Sequence, residues 1–373
     1  MRVDNFMEII GGDFFVGVPD SQLKAVCDYL MDKYGVDYKH HIIAANEGNC
    51  VGLAAGFYLA TGNIPIVYLQ NSGQGNIINP VVSLANENVY AIPMIFIIGW
   101  RGEPGVHDEP QHFYQGKITL KLLEDMNVEY FVVDKNTNEE SLKKIREEFN
   151  SNLLRGKQVA FVIKKGALEN SKSINYINNK AMSREEIIEH IVDVAKDDLI
   201  ICTTGKASRE LYEIRERKGL SHKNDFLTVG SMGHSSSIAL GVALNKPDKK
   251  IWCIDGDGAI LMHMGAMAII GSSGVKNLIH VVINNGAHES VGGMPTVANK
   301  INLVQISKSV GYEWNKRIQT NEELDSVLVE AKNKRNLCFI EIVSAIGARE
   351  NLGRPTMRPI ENKKMFMENI KGN

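Results

Sequence analysis

The chain has 373 residues, about twice the usual length of one domain, so two domains are the first expectation. Its 42 Lys and Arg against 44 Asp and Glu give a formal net charge of −2, without the basic footprint that nucleic-acid binding needs. Hydrophobic residues at 44% and charged residues at 23% exclude a disordered chain, and the longest apolar stretch, residues 89–100 with Pro93 inside it, is too short for a membrane span.

The N-terminus meets Asp4 at once and shows no apolar core with a cleavage site, so no signal peptide is read. Five cysteines (Cys27, Cys50, Cys202, Cys253, Cys338) are scattered without a CxxC, which reads as a reduced, cytoplasmic protein with buried thiols. Short β-branched runs at 64–69, 94–98 and 159–163 read as buried strands, with helical stretches between them. The charged tract at 139–148 reads as a solvated helix face. Residues 170–180 are polar and aperiodic, which marks a linker. After it, Ser183 and Glu186 fit a capping box, and Ile187, Ile188, Ile191, Val192 and Ala195 follow at helical spacing. Further strands are expected at 199–202, 226–229, 250–254, 279–283 and 339–343. Continuous apolar runs of this kind suit parallel strands covered on both faces. The fold class is therefore α/β: a domain over 1–169, a linker over 170–181 and a second domain over 182–373, each with a mostly parallel sheet flanked by helices. No internal repeat is visible.

Four polar or glycine-rich turns follow predicted strands, where α/β proteins place ligands. Asn71-Ser72-Gly73-Gln74-Gly75-Asn76 lacks the third glycine of a dinucleotide fingerprint, because position 78 is Ile78. Thr203-Thr204-Gly205-Lys206 lacks the glycine of a Walker loop at position 200, which is Ile200, and remains a polar turn able to take an anion. Gly230-Ser231-Met232-Gly233 is by itself more often a tight strand-to-helix connection than a cofactor site. Asp255-Gly256-Asp257-Gly258 is the informative turn. Asn284 and Asn285 come 26 and 27 positions after Gly258, at the end of the next apolar strand, which is roughly the length of a βαβ crossover. Asp257 and Asn285 then project from neighbouring strand ends. A carboxylate and an amide oxygen placed there suit Mg²⁺, with phosphate oxygens and water completing the shell.

This GDG-to-NN arrangement resembles the signature of the thiamine-diphosphate (ThDP) enzymes, and the resemblance covers nearly the whole chain. Further motifs carry it: GVPDSQL (17–23), Ala45-Asn46-Glu47-Gly48-Asn49, WRGEPGVHDEPQH (100–112), TTGKASREL (203–211), GSMGHSS (230–236), NNGAHESVGG (284–293) and GARENLGRPT (347–356). They are similar to the branch of 2-oxo acid decarboxylases acting on phosphonopyruvate or sulfopyruvate. The chain has no room for the third, central domain of the larger decarboxylases. The resemblance implies a pyrimidine-binding first domain and a diphosphate-binding second domain. It implies that Asp257, Asn285 and the carbonyl of Ala287 hold Mg²⁺. By the same resemblance, Thr204, Gly205, Ser231, Met232, Gly256 and Gly258 are expected to line the cofactor, with Met232 wedged beneath it, and Glu47 to bond its pyrimidine ring. His112 and His288 are the further catalytic candidates, and Arg101, His112, His288 and Ser290 the substrate candidates.

Lys206, Arg349 and Arg354 could neutralise the diphosphate, bind the phosphonate or pin the C-terminal loop. His263 reads as a packed core histidine. The implied reaction releases CO₂ from phosphonopyruvate to give phosphonoacetaldehyde, within phosphonate biosynthesis. The implied assembly is a homo-oligomer with active sites at the dimer interface, and no nucleic acid or membrane partner is expected. The competing readings are a sulfopyruvate or other 2-oxo acid decarboxylase, a catalytically silent subunit of the same fold, and an NAD-dependent oxidoreductase, which Ile78 disfavours.

Overall fold

The computed structural model describes residues 1–371, and the chain divides into two units between Asn175 and Tyr176. In the first unit, β1 (Phe15–Gly17), β2 (His41–Ile43), β3 (Ile66–Gln70), β4 (Met94–Gly99), β5 (Glu129–Val133) and β6 (Gln158–Ile163) form one parallel sheet in the order β2-β1-β3-β4-β6-β5. Its helices are α1 (Val3–Ile10), α2 (Lys24–Lys33), α3 (Glu47–Thr61), α4 (Gln74–Asn79), α5 (Pro110–Asp125) and α6 (Glu139–Leu154).

The second unit holds β7 (Leu199–Cys202), β8 (Asp225–Leu227), β9 (Ile251–Gly256), β10 (Leu278–Asn284), a small hairpin of β11 (Ala287–His288) and β12 (Met294–Pro295), then β13 (Trp314–Ile318) and β14 (Cys338–Val343). Its helices are α7 (Arg184–Ala195), α8 (Lys206–Arg217), α9 (Ser235–Asn245), α10 (Asp257–Met262), α11 (Gly265–Ser272), α12 (Leu303–Ser309), α13 (Asn321–Asn333) and α14 (Pro359–Lys371). The parallel sheet runs β13-β14-β10-β9-β7-β8. Counting each sheet's strands in chain order, both sheets have the same order, 2-1-3-4-6-5.

Alternation explains the unbroken apolar runs. In β7, Ile200 and Cys202 face one core cluster with Trp252 and Ile254, while Leu199 and Ile201 face another with Ile251 and Cys253. Both faces are buried, so every position is apolar. The elements that sequence periodicity does not reveal are short or polar. β2, β5 and β13 lie at sheet edges, and β5 and β13 are largely exposed or half-buried along their length. The capping box at Ser183 is present: its hydroxyl accepts from the Glu186 N–H, and Glu186 returns to the Ser183 N–H.

One expectation needs correction. The tract at 139–148 is more than a solvated face, because it buries Leu142, and α6 goes on beyond it to bury Phe149 and Leu153. Residues 170–181 hold no helix or strand, and their side chains bind within the units they adjoin. Lys172 pairs with Asp32 in the first unit, whereas the Asn178 amide donates to the carbonyls of Asn285 and Ser344 in the second, both at 3.1 Å. Polar composition marks an irregular backbone but does not show what its amides bind.

Candidate active site

The second unit builds its site from register. β9 and β10 pair from Leu278 opposite Ile251 to Ile283 opposite Gly256, so Asp257 and Asn285 leave the sheet side by side. Asp257 opens α10 with only 3% of its surface exposed. Its carboxylate accepts the Thr296 hydroxyl at 2.5 Å and the backbone N–H groups of Gly258 and Asn285. Burial raises its pKa to about 6, and these hydrogen bonds offset only part of that rise. The largest influences on it are burial, a hydroxyl and backbone N–H groups rather than a cationic side chain.

A buried carboxylate held by neutral donors, beside a side-chain amide, fits a hard divalent cation. The Asn285 Oδ1 accepts from the Ala287 N–H at 3.0 Å, and its Nδ2 donates to Glu289 at 3.0 Å. Thr296 carries no sequence signal. It reaches Asp257 only because the β11–β12 hairpin folds the chain back.

The glycine-rich turns converge on the same edge. β7 and β9 are neighbours where the strand order reverses, the place at which open α/β sheets bind ligands. Thr204 accepts the Gly230 N–H at 3.0 Å and so ties two of the turns together. Gly205 has φ +97°, and Ser231 adopts φ +48°, uncommon for a residue with a side chain. Gly258 leaves a cradle that a Cβ would close, since it would lie 3.2 Å from Met232 Cε and 3.3 Å from His288 Nδ1. Met232, Gly258 and His288 therefore meet. Burial lowers the His288 pKa to about 4, which keeps the ring neutral at physiological pH.

His263 is not a core histidine. α10 stops at Met262, so the ring sits half-buried at the junction with α11, 4.3 Å from the ring of His234, and its Nε2 has no partner among the described residues.

In the first unit, Glu47 begins α3 behind the Asn46 cap, whose side chain accepts the Gly48 N–H at 2.8 Å. Glu47 is 5% exposed and accepts from Asn76 Nδ2 at 2.6 Å. A Cβ on Gly73 would collide with its carboxylate. Burial raises the Glu47 pKa, so its role is not simply that of an exposed helix-terminal acid. Asp20, after β1, lies within the GVPDSQL segment and carries no sequence signal of its own. It is fully buried, accepts from Gln70 Nε2 at 2.5 Å, and burial raises its pKa to about 6. His112 is buried in α5 with its Nδ1 unpartnered, and burial first, then the charge of Arg101, lowers its pKa.

The cationic substrate candidates are engaged internally. Arg101 does not offer a free fork: Nε donates to Asp108 at 2.8 Å, Nη2 pairs with the same carboxylate, and Nη1 donates to Ser21 at 3.0 Å. The carboxylate seven residues on claims it. Arg349 pairs with Glu185 and Glu213 and pins its loop to α7 and α8. Lys206 donates to Glu289 at 3.0 Å. Ser290 is exposed in the one-turn segment Glu289–Val291, and Arg354 is exposed in the C-terminal loop.

Comparison with known proteins agrees with this geometry. Residues 5–123 match the N-terminal TPP binding domain of the thiamine pyrophosphate enzymes, and residues 203–342 match their C-terminal TPP binding domain. The chain belongs to the thiamine pyrophosphate (thiamine diphosphate) enzymes. It is 29% identical over 375 residues to phosphonopyruvate decarboxylase of Streptomyces viridochromogenes, covering 96% of this chain and 91% of the relative. It is also 38% identical over 192 residues to the beta subunit of sulfopyruvate decarboxylase of Methanocaldococcus jannaschii, covering 50% of this chain and 97% of that subunit. The alpha subunit of sulfopyruvate decarboxylase of Methanococcus maripaludis is 38% identical over 121 residues, covering 32% of this chain and 68% of the subunit. No helix among the described residues is long and apolar enough to cross a membrane.

Proposed function

We propose that the protein is a Mg²⁺- and ThDP-dependent decarboxylase that converts 3-phosphonopyruvate to phosphonoacetaldehyde and CO₂, a step of phosphonate biosynthesis. The observation that carries the cofactor reading is the buried Asp257, held by neutral donors, beside Asn285 at adjacent strand ends. The substrate reading rests on the near full-length similarity to phosphonopyruvate decarboxylase. Asp257, the Asn285 amide oxygen and the Ala287 carbonyl would hold the metal, and the turns at Thr204-Gly205, Ser231-Met232 and Gly256-Gly258 would receive the diphosphate and ring. ThDP supplies the electron sink that a 2-oxo acid lacks when it loses CO₂.

The chain's own groups supply protons and orientation. Glu47, whose buried carboxyl is pushed above the usual carboxylate range, would share a proton with a ring nitrogen. His288 would stay neutral near pH 7, and burial likewise disfavours the charged form of His112, so each ring would be able to accept or donate a proton. The assembly we propose is a homo-oligomer in which the Glu47 unit of one copy serves the Asp257 unit of another. A second reading, sulfopyruvate decarboxylation, is favoured by the higher identity to the sulfopyruvate decarboxylase subunits. Release of CO₂ from phosphonopyruvate, sulfopyruvate and pyruvate, side by side with ThDP and Mg²⁺, decides between them. Fastest turnover of phosphonopyruvate is the expected result, and preference for sulfopyruvate would select the second reading.

A further inference from the structure

The loop that carries Asn285 is wired into a buried ion cluster. Glu289 accepts from Arg184 Nη1 at 2.6 Å and Nη2 at 3.3 Å, from Lys206 Nζ at 3.0 Å, and from Asn285 Nδ2 at 3.0 Å. Arg184 also donates to Glu210, from Nε at 2.6 Å and Nη2 at 2.7 Å. Side-chain exposures are 10% for Arg184, 1% for Glu210 and 8% for Glu289. Buried ion clusters are weak evidence for stability, since apolar packing often does as well, and their better-attested use is to fix one arrangement among several.

The arrangement fixed here is that of an amide. The two ends of the Asn285 side chain are chemically opposite: its oxygen binds a cation and its NH₂ repels one. Glu289, gripped by a guanidinium and an ammonium, can only accept. The Ala287 N–H can only donate. With Nδ2 on Glu289 and Oδ1 on Ala287, both contacts are satisfied. Turning the amide over sets oxygen against carboxylate and NH₂ against N–H, so both are lost.

We propose that Glu289, held by Arg184 and Lys206, is the positioning residue that locks the Asn285 amide with its oxygen available to the metal and thereby sets the Mg²⁺ affinity of the site. The proposal rests on the reading of Asp257 and Asn285 as metal ligands. Partners of this kind, one bond removed from a ligand, typically change metal affinity by about ten- to a hundredfold.

The test is a Mg²⁺ titration of ThDP retention by equilibrium dialysis, alongside thermal midpoints without cofactor. Glu289→Gln, whose amide removes the acceptor-only constraint, should weaken Mg²⁺ about tenfold or more. Glu210→Gln disturbs the same arginine without touching Asn285, so it should lower the thermal midpoint while shifting Mg²⁺ affinity much less. In an Asn285→Asp background both ligand atoms are oxygens and no orientation needs fixing. There Glu289→Gln relieves a carboxylate pair and should strengthen Mg²⁺ binding, the opposite sign. Glu289→Asp keeps the charge and should fall between wild type and Glu289→Gln, which retains a test if the latter folds poorly.

Unchanged Mg²⁺ affinity in Glu289→Gln, or equal weakening in both backgrounds, overturns the proposal. If Asp257→Ala loses Mg²⁺ dependence while Glu289→Gln keeps wild-type affinity, only the role of Glu289 fails. If wild-type ThDP retention ignores Mg²⁺, the ligand reading fails and takes the proposal with it.

Discussion

The two units share one strand order and differ in what they place at its reversal. At the corresponding strand ends, the second unit carries Thr204 and Gly205 after β7 and Asp257 after β9, with open space beside Gly205 and Gly256. The first carries Asp20 after β1 and Asn71 after β3, closed by side-chain bonds. Its distinctive acid, Glu47, follows β2 and is held by an amide, Asn76. One frame thus presents a buried carboxylate among glycine turns and the other a buried acid held by an amide. The same topology supports two chemistries because the sheet fixes only where loops leave it, and the loop residues decide what they bind.

The largest effect should separate the edges. Asp257→Ala should abolish Mg²⁺-dependent ThDP retention, and chelation of the wild type should inactivate it reversibly, with Mg²⁺ restoring activity. Dialysis against labelled ThDP reads this directly, and wild-type retention by the variant would remove Asp257 from the metal site. Glu47→Gln should behave in the opposite way. It keeps size and hydrogen bonding but loses the shared proton, so kcat should fall about 10²–10⁴-fold while ThDP affinity changes far less. Parallel losses of both would make Glu47 a structural residue.

Proton competition gives the next effect. Asp257 must be ionised to bind metal, and its pKa in the cofactor-free protein is about 6. Apparent Mg²⁺ affinity should therefore fall by about tenfold per pH unit once pH drops below 6. The linkage to stability has the opposite sense. A carboxyl whose folded pKa lies above its unfolded value favours the folded state at low pH, and that contribution is lost as pH rises through about 4 to 6. Asp257→Asn, free of cofactor, should gain in thermal midpoint relative to wild type between pH 4 and pH 7. A pH-independent difference would mean that Asp257 is not forced to ionise in a dry site.

The smallest effect concerns Arg101. Since Asp108 and Ser21 hold its guanidinium, Arg101→Met should lower turnover of phosphonopyruvate and pyruvate alike and reduce stability modestly. A loss confined to phosphonopyruvate would show that the arginine leaves Asp108 to meet the substrate tail.

Sequence reading recovered what local pattern encodes. Buried strands such as β4, β7 and β10 announce themselves as apolar runs, and the spacing from Gly258 to Asn284 places two polar groups at neighbouring strand ends. Edge strands such as β5 and β13 stay hidden, because a half-exposed strand needs no continuous apolar run. The common strand order is invisible as a repeat, since topology depends on crossovers rather than on residue identity. Partners set by long-range folding were equally out of reach: Thr296 on Asp257, Asn76 on Glu47 and Asp108 on Arg101 are geometric facts. The misplaced expectation of a core position for His263 has the same origin, because the break between α10 and α11 leaves no apolar signature.

The division of labour between the two frames is tested most directly by mixing inactive Glu47→Gln chains with inactive Asp257→Ala chains and assaying CO₂ release from phosphonopyruvate. If Glu47 of one copy works with Asp257 of another, one class of hybrid site holds both wild-type residues, and part of the wild-type activity should return. No recovery, with exchange of subunits confirmed, would contradict the account.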